Sequence, residues 1–340
     1  MLKKIIAGLT LLSLAACGNG AASGGADPEK KTIRLAYQAF PSGDLVVKNQ
    51  GLLEKALPDY EITWTKFDSG ASINTAFVGK SIDIAAIGSS PVARGLSAPL
   101  NIPYKVAFVL DVAGDNEALV ARNGSGVTDV ASLKGKKVGT PFASTAHYSL
   151  LAALDKAGVA EKEVNIVDLE PQDIQAAWTR GDIDAAYTWL PSLAEIKKTG
   201  KVLISSRELA TAGKPTLDLG VVTTAFAEAH PEAVDAWRKV EAQALDLIAT
   251  DPAAAAKSIG AELNLSPAEA QDQLSQGVFL KPADLASDEW LGTPEKVGKL
   301  ADNLVSAAEF LKGQQKIDAV PALADVQKAI YVEGLPGVLG

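Results

Sequence analysis

Two acidic residues lie in apolar strand patterns, where a carboxylate could bind a positively charged ligand group. Asp218 lies inside an otherwise apolar strand pattern, TLDLGVV, and Glu117 begins another, NEALVA. A carboxylate buried at a cleft costs several kcal/mol unless a cation or several hydrogen-bond donors meet it. We therefore expect each acid either to bind the ammonium group of a ligand, or to cap a strand end or pair with a nearby Lys or Arg.

Hydroxyl residues cluster before predicted helices at three places, namely Ser69–Ser72, Ser89-Ser90 and Ser144-Thr145. The N–H groups of a first helical turn lack partners within the helix and bind anions. Hydroxyls and backbone amides suit a tetrahedral oxyanion, which offers only acceptor oxygens. A single such cap usually does no more than start a helix, but three of them at predicted strand ends favour an anion site. Together with the two acids they predict a zwitterionic ligand.

The sequence lacks the residue patterns of the common catalytic and cofactor sites. Its two histidines, His147 and His230, and its single cysteine form no cluster that could hold a transition metal. It contains no G-x-S-x-G elbow and no Walker A loop. We therefore expect a binding protein without a cofactor, and not a hydrolase or an ATPase.

The N-terminus has the pattern of a bacterial lipoprotein signal peptide. Lys3 and Lys4 precede an apolar run to Leu14, and the string LAAC ends in Cys17, the only cysteine. This pattern predicts a signal peptide over 1–16, a lipid on Cys17 and a flexible tether over 17–31, which anchor the protein outside the cytoplasm. A chance cysteine in a signal peptide cut elsewhere is the alternative. No later stretch is apolar for long enough to span a membrane.

Length and charge limit the remaining possibilities. The roughly 310 residues after the tether are more than one hydrophobic core usually serves, so two lobes are expected. The chain is 47% apolar and carries a formal net charge of −9, which argues against nucleic acid as a partner. Net charge does not exclude a small anionic ligand, which contacts only a local pocket.

Strand and helix patterns alternate as far as Phe226, after which the chain reads as helical. This order predicts an α/β fold with open sheets and a C-terminal helical coat. The first lobe is expected to comprise 32–112 and 219–340, and the second 113–218. Helices are predicted over Leu45–Ala56 and Pro294–Leu311, among others.

An internal repeat supports two related lobes. Asn74–Pro91 and Gln175–Pro191 each combine a helix end, a Gly turn, an Ile-Asp pair, a small apolar strand and a proline. Asp83 and Asp184 occupy equivalent places, so we interpret both as architectural. The residues that differ between the copies follow the strands, where open α/β sheets bind ligands. The ligand cleft is therefore expected between the lobes.

Several strings resemble the periplasmic taurine-binding proteins of ABC importers, within the wider group of aliphatic-sulfonate and nitrate-type receptors. The resemblance runs from about Ile33 to Leu311 and implies a two-lobed, type II periplasmic-binding-protein fold. It also implies closure on taurine, delivery to a permease with a cytoplasmic ATPase, and a role in sulfur metabolism. The strings are AYQ at Ala36–Gln38, FDSGASI at Phe67–Ile73, GSSP at Gly88–Pro91, NEALV at Asn116–Val120, STAHYSLLAAL at Ser144–Leu154, AAW-x-RGDIDAAY at Ala176–Tyr187 and PTLD at Pro215–Asp218.

The resemblance also implies a set of ligand contacts. The sulfonate would be bound by Gln38 and the hydroxyl residues, and the ammonium by Asp218 with Glu117. A neutral His147 would donate one hydrogen bond, and two aromatic residues would either wall the ethylene bridge or belong to the core. The full set is Gln38, Ser89, Ser90, Glu117, Ser144, Thr145, His147, Tyr148, Trp189 and Asp218.

Two departures from the family pattern bear on specificity. Ala39–Asp44 stands where closer relatives carry a Glu-Pro pair, and Gly220 stands where they tend to carry Trp. If that Trp lines the cleft, Gly220 leaves room for a larger aminosulfonate or an alkanesulfonate. A receptor for another small anion and an extracytoplasmic enzyme on the same fold are the alternatives. Together with the N-terminal lipoprotein pattern, the resemblance predicts a lipid-anchored monomer in the periplasm or at the outer face of the cell membrane.

Overall fold

The computed structural model describes residues 31–339. The signal peptide expected over 1–16, the lipidation of Cys17 and the tether up to residue 30 lie outside the described residues. Within the described part, no helix is long and apolar enough to cross a membrane, and no group of three or more His, Cys, Asp or Glu side chains is placed to hold a metal ion.

Strands occupy twelve segments of the described chain. In chain order they are β1 (Lys31–Gln38), β2 (Tyr60–Phe67), β3 (Ile84–Gly88), β4 (Tyr104–Val112), β5 (Glu117–Arg122), β6 (Lys137–Thr140), β7 (Asn165–Asp168), β8 (Ala185–Trp189), β9 (Gly200–Ser205), β10 (Leu217–Thr223), β11 (Gly292–Thr293) and β12 (Lys296–Val297).

Helices occupy fifteen segments of the same residues, besides three short 3-10 turns. They are α1 (Gly43–Gln50), α2 (Leu52–Ala56), α3 (Gly70–Val78), α4 (Ser89–Leu96), α5 (Thr145–Lys156), α6 (Pro171–Arg180), α7 (Ser192–Lys197), α8 (Ser206–Thr211), α9 (Thr224–Ala229), α10 (Pro231–Thr250), α11 (Pro252–Leu263), α12 (Pro267–Leu274), α13 (Leu300–Gly313), α14 (Leu323–Ala329) and α15 (Leu335–Leu339).

Two five-stranded sheets share one topology. The first has the order β2-β1-β3-β10-β4, and the second has the order β7-β6-β8-β5-β9. In each sheet three neighbouring strands are parallel, and the fourth runs antiparallel to both strands beside it. The mixed α/β class expected from the sequence is confirmed, and the repeat in the sequence corresponds to a repeat in the topology.

The chain passes between the sheets twice. It leaves the first sheet after β4 and enters the second at β5, and it returns between α8 and β10. We call the first sheet with its helices the first lobe and the second sheet with α5 to α8 the second lobe. The lobe boundary expected between Asp218 and Leu219 falls inside β10. Since all of β10 pairs with β3 and β4, the second lobe ends before Leu217.

Two predicted helices differ from the observed ones. The helix expected over Leu45–Ala56 is divided at Gly51, which adopts the left-handed conformation with φ 58° and so ends α1. The helix expected over Pro294–Leu311 begins only at Leu300, because β11 and β12 form a short antiparallel hairpin before it. The hydroxyl pair Ser89-Ser90, expected to lie at a helix start, forms the first two residues of α4, and Gly88 is the N-cap.

Asp83 and Asp184 play matching structural parts in the two lobes. Asp83 accepts the backbone N–H of Arg34 at 2.9 Å and pairs with its guanidinium at 2.6 Å. Asp184 accepts the backbone N–H of Lys137 at 3.0 Å. Each carboxylate therefore joins the start of one strand to its parallel neighbour, as an architectural role requires.

Gly220 does not line the cleft, which overturns the idea that its small size enlarges the ligand site. A Cβ atom at this position would lie 2.5 Å from Cη2 of Trp237 and 3.0 Å from Cβ of Phe108. Trp237, on α10, is 2% exposed and belongs to the core between the first sheet and the helical coat. The missing side chain thus admits a core tryptophan from the coat.

Replacing Gly220 with Ala is expected to destabilise the fold by about 1–3 kcal/mol, because the added methyl overpacks a closed core. Urea unfolding measures this free energy. Gly313→Ala is the matched control, since a Cβ there meets no atom within 4 Å. An unchanged stability for Gly220→Ala would contradict the packing described for Trp237.

Candidate functional site

A cleft lies between the lobes, at the carboxyl ends of β1 and β3 and the start of β5. Its empty volume is about 460 Å³, including the part that opens to solvent. The first lobe contributes one wall, and α5 with the end of β8 contributes the other. The lining residues are Gln38, Phe40, Pro41, Gly70, Gly88, Pro91, Ala113, Asn116, Glu117, Ser144, Thr145, Trp189, Leu190 and Asp218.

Three helix N-termini meet at this cleft. Gly70 begins α3, Gly88 is the N-cap of α4, and Thr145 begins α5 behind its N-cap Ser144. The Ser144 hydroxyl accepts the backbone N–H of His147 at 3.1 Å. The remaining first-turn N–H groups and the positive ends of the helix dipoles favour negative charge. The helix starts at which the sequence predicts an oxyanion site therefore meet at one space, although the Ser89 and Ser90 side chains do not line it.

The lobes approach each other very closely at this cleft. A Cβ atom on Gly88 would lie 2.5 Å from Cγ2 of Thr145 in the other lobe. Ser69 donates a hydrogen bond to Glu170 across the gap at 2.9 Å, and Lys316 forms an ion pair with Glu161 at 2.7 Å. The structure therefore shows the lobes in a closed arrangement.

Glu117 is buried and joins four segments of the chain through hydrogen bonds. Its carboxylate accepts the hydroxyls of Thr145 at 2.5 Å, Ser206 at 2.6 Å, Ser149 at 3.2 Å and Thr216 at 3.3 Å. Burial raises the pKa of Glu117, and these hydroxyls oppose the rise. The four donors fix the carboxylate at the cleft wall and hold α5, α8 and the returning chain together.

Replacing Glu117 with Gln is expected to destabilise the protein by about 3 kcal/mol, because hydrogen bonds to a charged acceptor contribute about 1.5–3 kcal/mol each and the amide reproduces only part of the set. Thermal unfolding of the purified chain measures the effect. Glu195→Gln, at an exposed residue of the same lobe, provides the control. A stability equal to that of the control would rule out the joining role.

Asp218 faces the cleft with a second carboxyl directly behind it. The two antiparallel strands β10 and β4 place Asp218 opposite Asp111, which is fully buried and has no hydrogen-bond partner for either side-chain oxygen among the described residues. Burial and the neighbouring acids raise the pKa of Asp111 well above its usual range. Burial, followed by the charge of Glu117, raises the pKa of Asp218 to about 7. In the free protein burial therefore favours the protonated form of both carboxyl groups.

Two further carboxyls extend this acidic cluster below the cleft. Burial raises the pKa of Asp44 to about 6 and that of Glu241 well above its usual range. No Lys or Arg in residues 31–339 forms an ion pair with any of the five acids. A buried acidic cluster without a cation suits a ligand that brings its own positive charge.

A second cavity lies beside the cleft, on the other side of Ser144. Its empty volume is about 500 Å³, including the open part, and it is lined by Ser90, Arg94, Phe142, Ala143, Ser144, His147, Tyr148, Leu311 and Lys316. The helices α4 and α13 of the first lobe face α5 of the second here. Burial, with the charges of Lys316 and Arg94, lowers the pKa of His147 to about 4, so this imidazole is neutral at physiological pH.

The predicted ligand residues are divided between these two spaces. Gln38, Glu117, Thr145, Trp189 and Asp218 line the cleft, and Ser144 lines both spaces. The second cavity is lined by Ser90, His147 and Tyr148. Ser89 lines neither, because its hydroxyl accepts the backbone N–H of Leu217 at 3.0 Å.

The hydroxyl of Thr145, which was expected to bind the sulfonate, has another partner in the structure. It donates its hydrogen to Glu117, so in this arrangement it holds an acid in place instead of donating to a sulfonate. The hydroxyl of Ser144 donates to the carbonyl of Pro141 at 2.6 Å. The cleft also offers backbone N–H groups and the amide of Gln38, whose contact with the Ala86 carbonyl is long at 3.4 Å.

Sequence reasoning missed several members of the site. Asp111 lies within an apolar strand, FVLDV, which is the same signal that identified Asp218. Phe40 and Pro41 line the cleft from the segment noted only as a departure from the family, and Asn116 precedes Glu117. Asp44 and Glu241 carried no comparable signal, because they begin or lie within amphipathic helices.

Comparison with known proteins places this geometry among solute receptors. Residues 31–259 match the family described as the substrate binding domain of an ABC-type glycine betaine transport system. The taurine-binding periplasmic protein of Escherichia coli strain K12 is 38% identical over 294 residues, which cover 85% of this chain and 88% of that protein.

Solved structures share the fold. The alkanesulfonate-binding protein SsuA of Xanthomonas axonopodis pv. citri, bound to MOPS, aligns with a TM-score of 0.75 at 22% identity, over 90% of this chain and 99% of that one. The periplasmic aliphatic sulphonate binding protein SsuA of Escherichia coli aligns with a TM-score of 0.70 at 21% identity, over 88% and 92%. The two-lobed periplasmic-binding-protein fold expected from the sequence is confirmed.

Proposed function

The chain belongs to the family of substrate-binding domains of ABC-type glycine betaine transport systems, and on this premise we propose that it is the solute-binding protein of an ABC importer that captures taurine, 2-aminoethanesulfonate, between its lobes. The observation that carries the proposal is that one cleft holds both carboxylates, which suit a cation, and helix N-termini, which suit an anion. Asp218 and Glu117 supply negative charge to the cleft, and the N-termini of α3, α4 and α5 supply N–H donors to the same space.

The acids favour a primary ammonium over the other cationic groups. A primary ammonium offers three N–H donors and can meet the carboxylate of Asp218 directly. A quaternary ammonium such as that of glycine betaine has no N–H and is bound by cages of aromatic rings. The cleft has only Phe40 and Trp189 as aromatic lining. An alkanesulfonate without an amine would leave the acidic cluster without a cation.

The mechanism follows from the contacts between the lobes. Ligand docks on one lobe, and the other lobe then rotates about the two crossing segments to the closed arrangement, which the importer recognises. Ion pair Lys316–Glu161 and hydrogen bond Ser69–Glu170 form only when the lobes meet. Because ligand shifts this equilibrium only as far as it prefers the closed state, the acids and helix ends must contact it from both lobes.

We further propose that the protein acts outside the cytoplasm and leaves its ligand chemically unaltered. A lipid on Cys17 anchors the protein outside the cytoplasm, in the periplasm or at the outer face of the cell membrane, where it acts as a monomer beside its permease. The protein is a receptor and not an enzyme, so bound taurine is released unaltered. Taurine incubated with the protein and recovered by mass spectrometry without any product tests this last point.

Calorimetric titration of the chain that starts at residue 17, with Cys17→Ser to prevent lipidation, tests the ligand. We expect tight binding of taurine and at least tenfold weaker binding of ethanesulfonate, β-alanine and glycine betaine, which lack the amine, the sulfonate and the N–H donors respectively. Equal affinities for taurine and ethanesulfonate would overturn the role of the acids. No taurine binding by a folded chain would overturn the choice of ligand.

A further inference from the structure

The second cavity, defined by its lining above, is locally basic in an acidic protein. Arg94 and Lys316 contribute two cations to its wall, and no Asp or Glu lines it. The whole chain carries a formal net charge of −9, and the neighbouring cleft is lined by two acids. The cavity therefore has the opposite electrostatic character to the cleft.

Arg94 has no carboxylate to neutralise it. Its guanidinium forms no hydrogen bond or ion pair with any residue from 31 to 339, although the residue is only half-exposed. Ser90 lies four residues earlier on α4, so both side chains project from the same face of the helix. A planar guanidinium with a fork of N–H donors matches the oxygen atoms of a small oxyanion.

His147 supplies a donor from the opposite lobe. Its Nδ1 accepts the backbone N–H of Ala143 at 3.2 Å, so the proton of the neutral imidazole is on Nε2. The residue is 4% exposed, and Nε2 has no hydrogen-bond partner among the described residues. The ring stacks on Phe142 with centroids 4.6 Å apart, which fixes its orientation. An unpartnered buried donor is costly, and a ligand acceptor would remove that cost.

Lys316 adds charge that is only partly compensated. It pairs with Glu161 of the second lobe at 2.7 Å, and both side chains remain about one-third exposed. Arg94, Ser90 and Lys316 belong to the first lobe, whereas His147 belongs to the second. An anion in this space would therefore contact both lobes and favour their closed arrangement.

We propose that the second cavity is an anion site distinct from the cleft, which binds a small inorganic oxyanion of the sulfate or phosphate type through Arg94, Ser90 and Nε2–H of His147. The proposal is independent of which ligand the cleft takes. Oxyanion bound here ties α4 to α5 and so contributes to closure without occupying the ligand cleft.

The two histidines of the chain allow a direct test by NMR. Uniformly ¹⁵N-labelled, untagged protein is titrated with sodium sulfate, and separately with sodium phosphate, at constant ionic strength. We expect a saturable shift of the His147 ring nitrogens. His230, which contacts Tyr60 at 3.1 Å in the first lobe, is an internal control and should not shift. Saturation by either anion supports the site and identifies which oxyanion it prefers.

Variants and occupancy of the cleft decide the remaining alternatives. Arg94→Gln should weaken the anion at least tenfold, whereas Arg180→Gln, at an exposed arginine of the second lobe, should leave it unchanged. The titration is repeated with saturating taurine, which should not displace the anion. No saturable shift at His147, an equal response of Arg94→Gln and wild type, or competition with taurine would each overturn a separate site. If taurine itself does not bind, the anion titration of the taurine-free protein alone tests the proposed anion site.

Discussion

Replacing Asp218 with Asn is expected to weaken taurine binding by about 100-fold and to leave ethanesulfonate binding nearly unchanged. Removing one partner of a desolvated charge pair costs about 2–5 kcal/mol, and tenfold in affinity corresponds to about 1.4 kcal/mol. Asn keeps the size of the side chain and one acceptor but loses the charge that faces the ammonium. Calorimetric titration of both ligands into the variant measures the two affinities.

Asp184→Asn is the matched control for this variant. Asp184 lies in the second lobe, at the place that corresponds to Asp83 in the first, and accepts a backbone N–H away from the cleft. Its replacement should therefore lower the stability of the protein and leave taurine affinity unchanged. Equal losses for taurine and ethanesulfonate in Asp218→Asn would show that the carboxylate shapes the cleft without meeting an amine.

Taurine affinity is expected to rise about 15-fold between pH 5.5 and pH 7, and about twofold more before it levels off above about pH 8. Burial raises the pKa of Asp218 to about 7 in the free protein, so below that pH a proton must leave before the carboxylate can pair with the ammonium. Each pH unit below the pKa then costs a factor of ten in affinity. Binding constants measured at intervals from pH 5.5 to pH 8.5 test this profile.

The raised pKa of Asp218 also determines how the stability of the free protein changes with pH. An acid with a higher pKa in the folded than in the unfolded chain contributes stability at low pH and loses it as the pH rises from about 4 to about 7. The free protein therefore loses part of its stability over this range, while the taurine complex gains affinity. Asp218→Asn should flatten the binding profile. A profile that falls with rising pH, or one that stays steep in the variant, would contradict the assignment.

The fold was accessible from the sequence because its signals are local and repeated. The alternating strand and helix patterns up to Phe226 and the repeated Ile-Asp string predict an α/β chain with two related lobes. The division of α1 from α2 at Gly51 and the hairpin before α13 were missed, since a single glycine and a four-residue turn do not interrupt a helical pattern of apolar residues.

The sequence predicted only part of the site, because the pairing of strands that are distant in the chain determines which side chains meet there. Asp218 and Glu117 stand out as acids in apolar strands, but the sequence does not show that β10 places Asp218 opposite Asp111. It also does not show that Thr145 donates to Glu117 across the cleft wall. Gly220 was misinterpreted for the same reason, since the ring that approaches it comes from α10, later in the chain.

Gly88 has a consequence beyond the shape of the cleft. A Cβ atom there would lie 2.5 Å from Thr145 of the opposing lobe, but at the ordinary contact distances of 3.4 Å from Pro91 and 3.7 Å from Asp218 of its own lobe. A single methyl group would therefore clash in the closed state and fit once the lobes separate. Substitution at this position would therefore act on the open–closed equilibrium without altering any group that donates to or accepts from the ligand. Evolution can in this way adjust the affinity of the receptor, and the rate at which it surrenders its cargo, independently of its specificity.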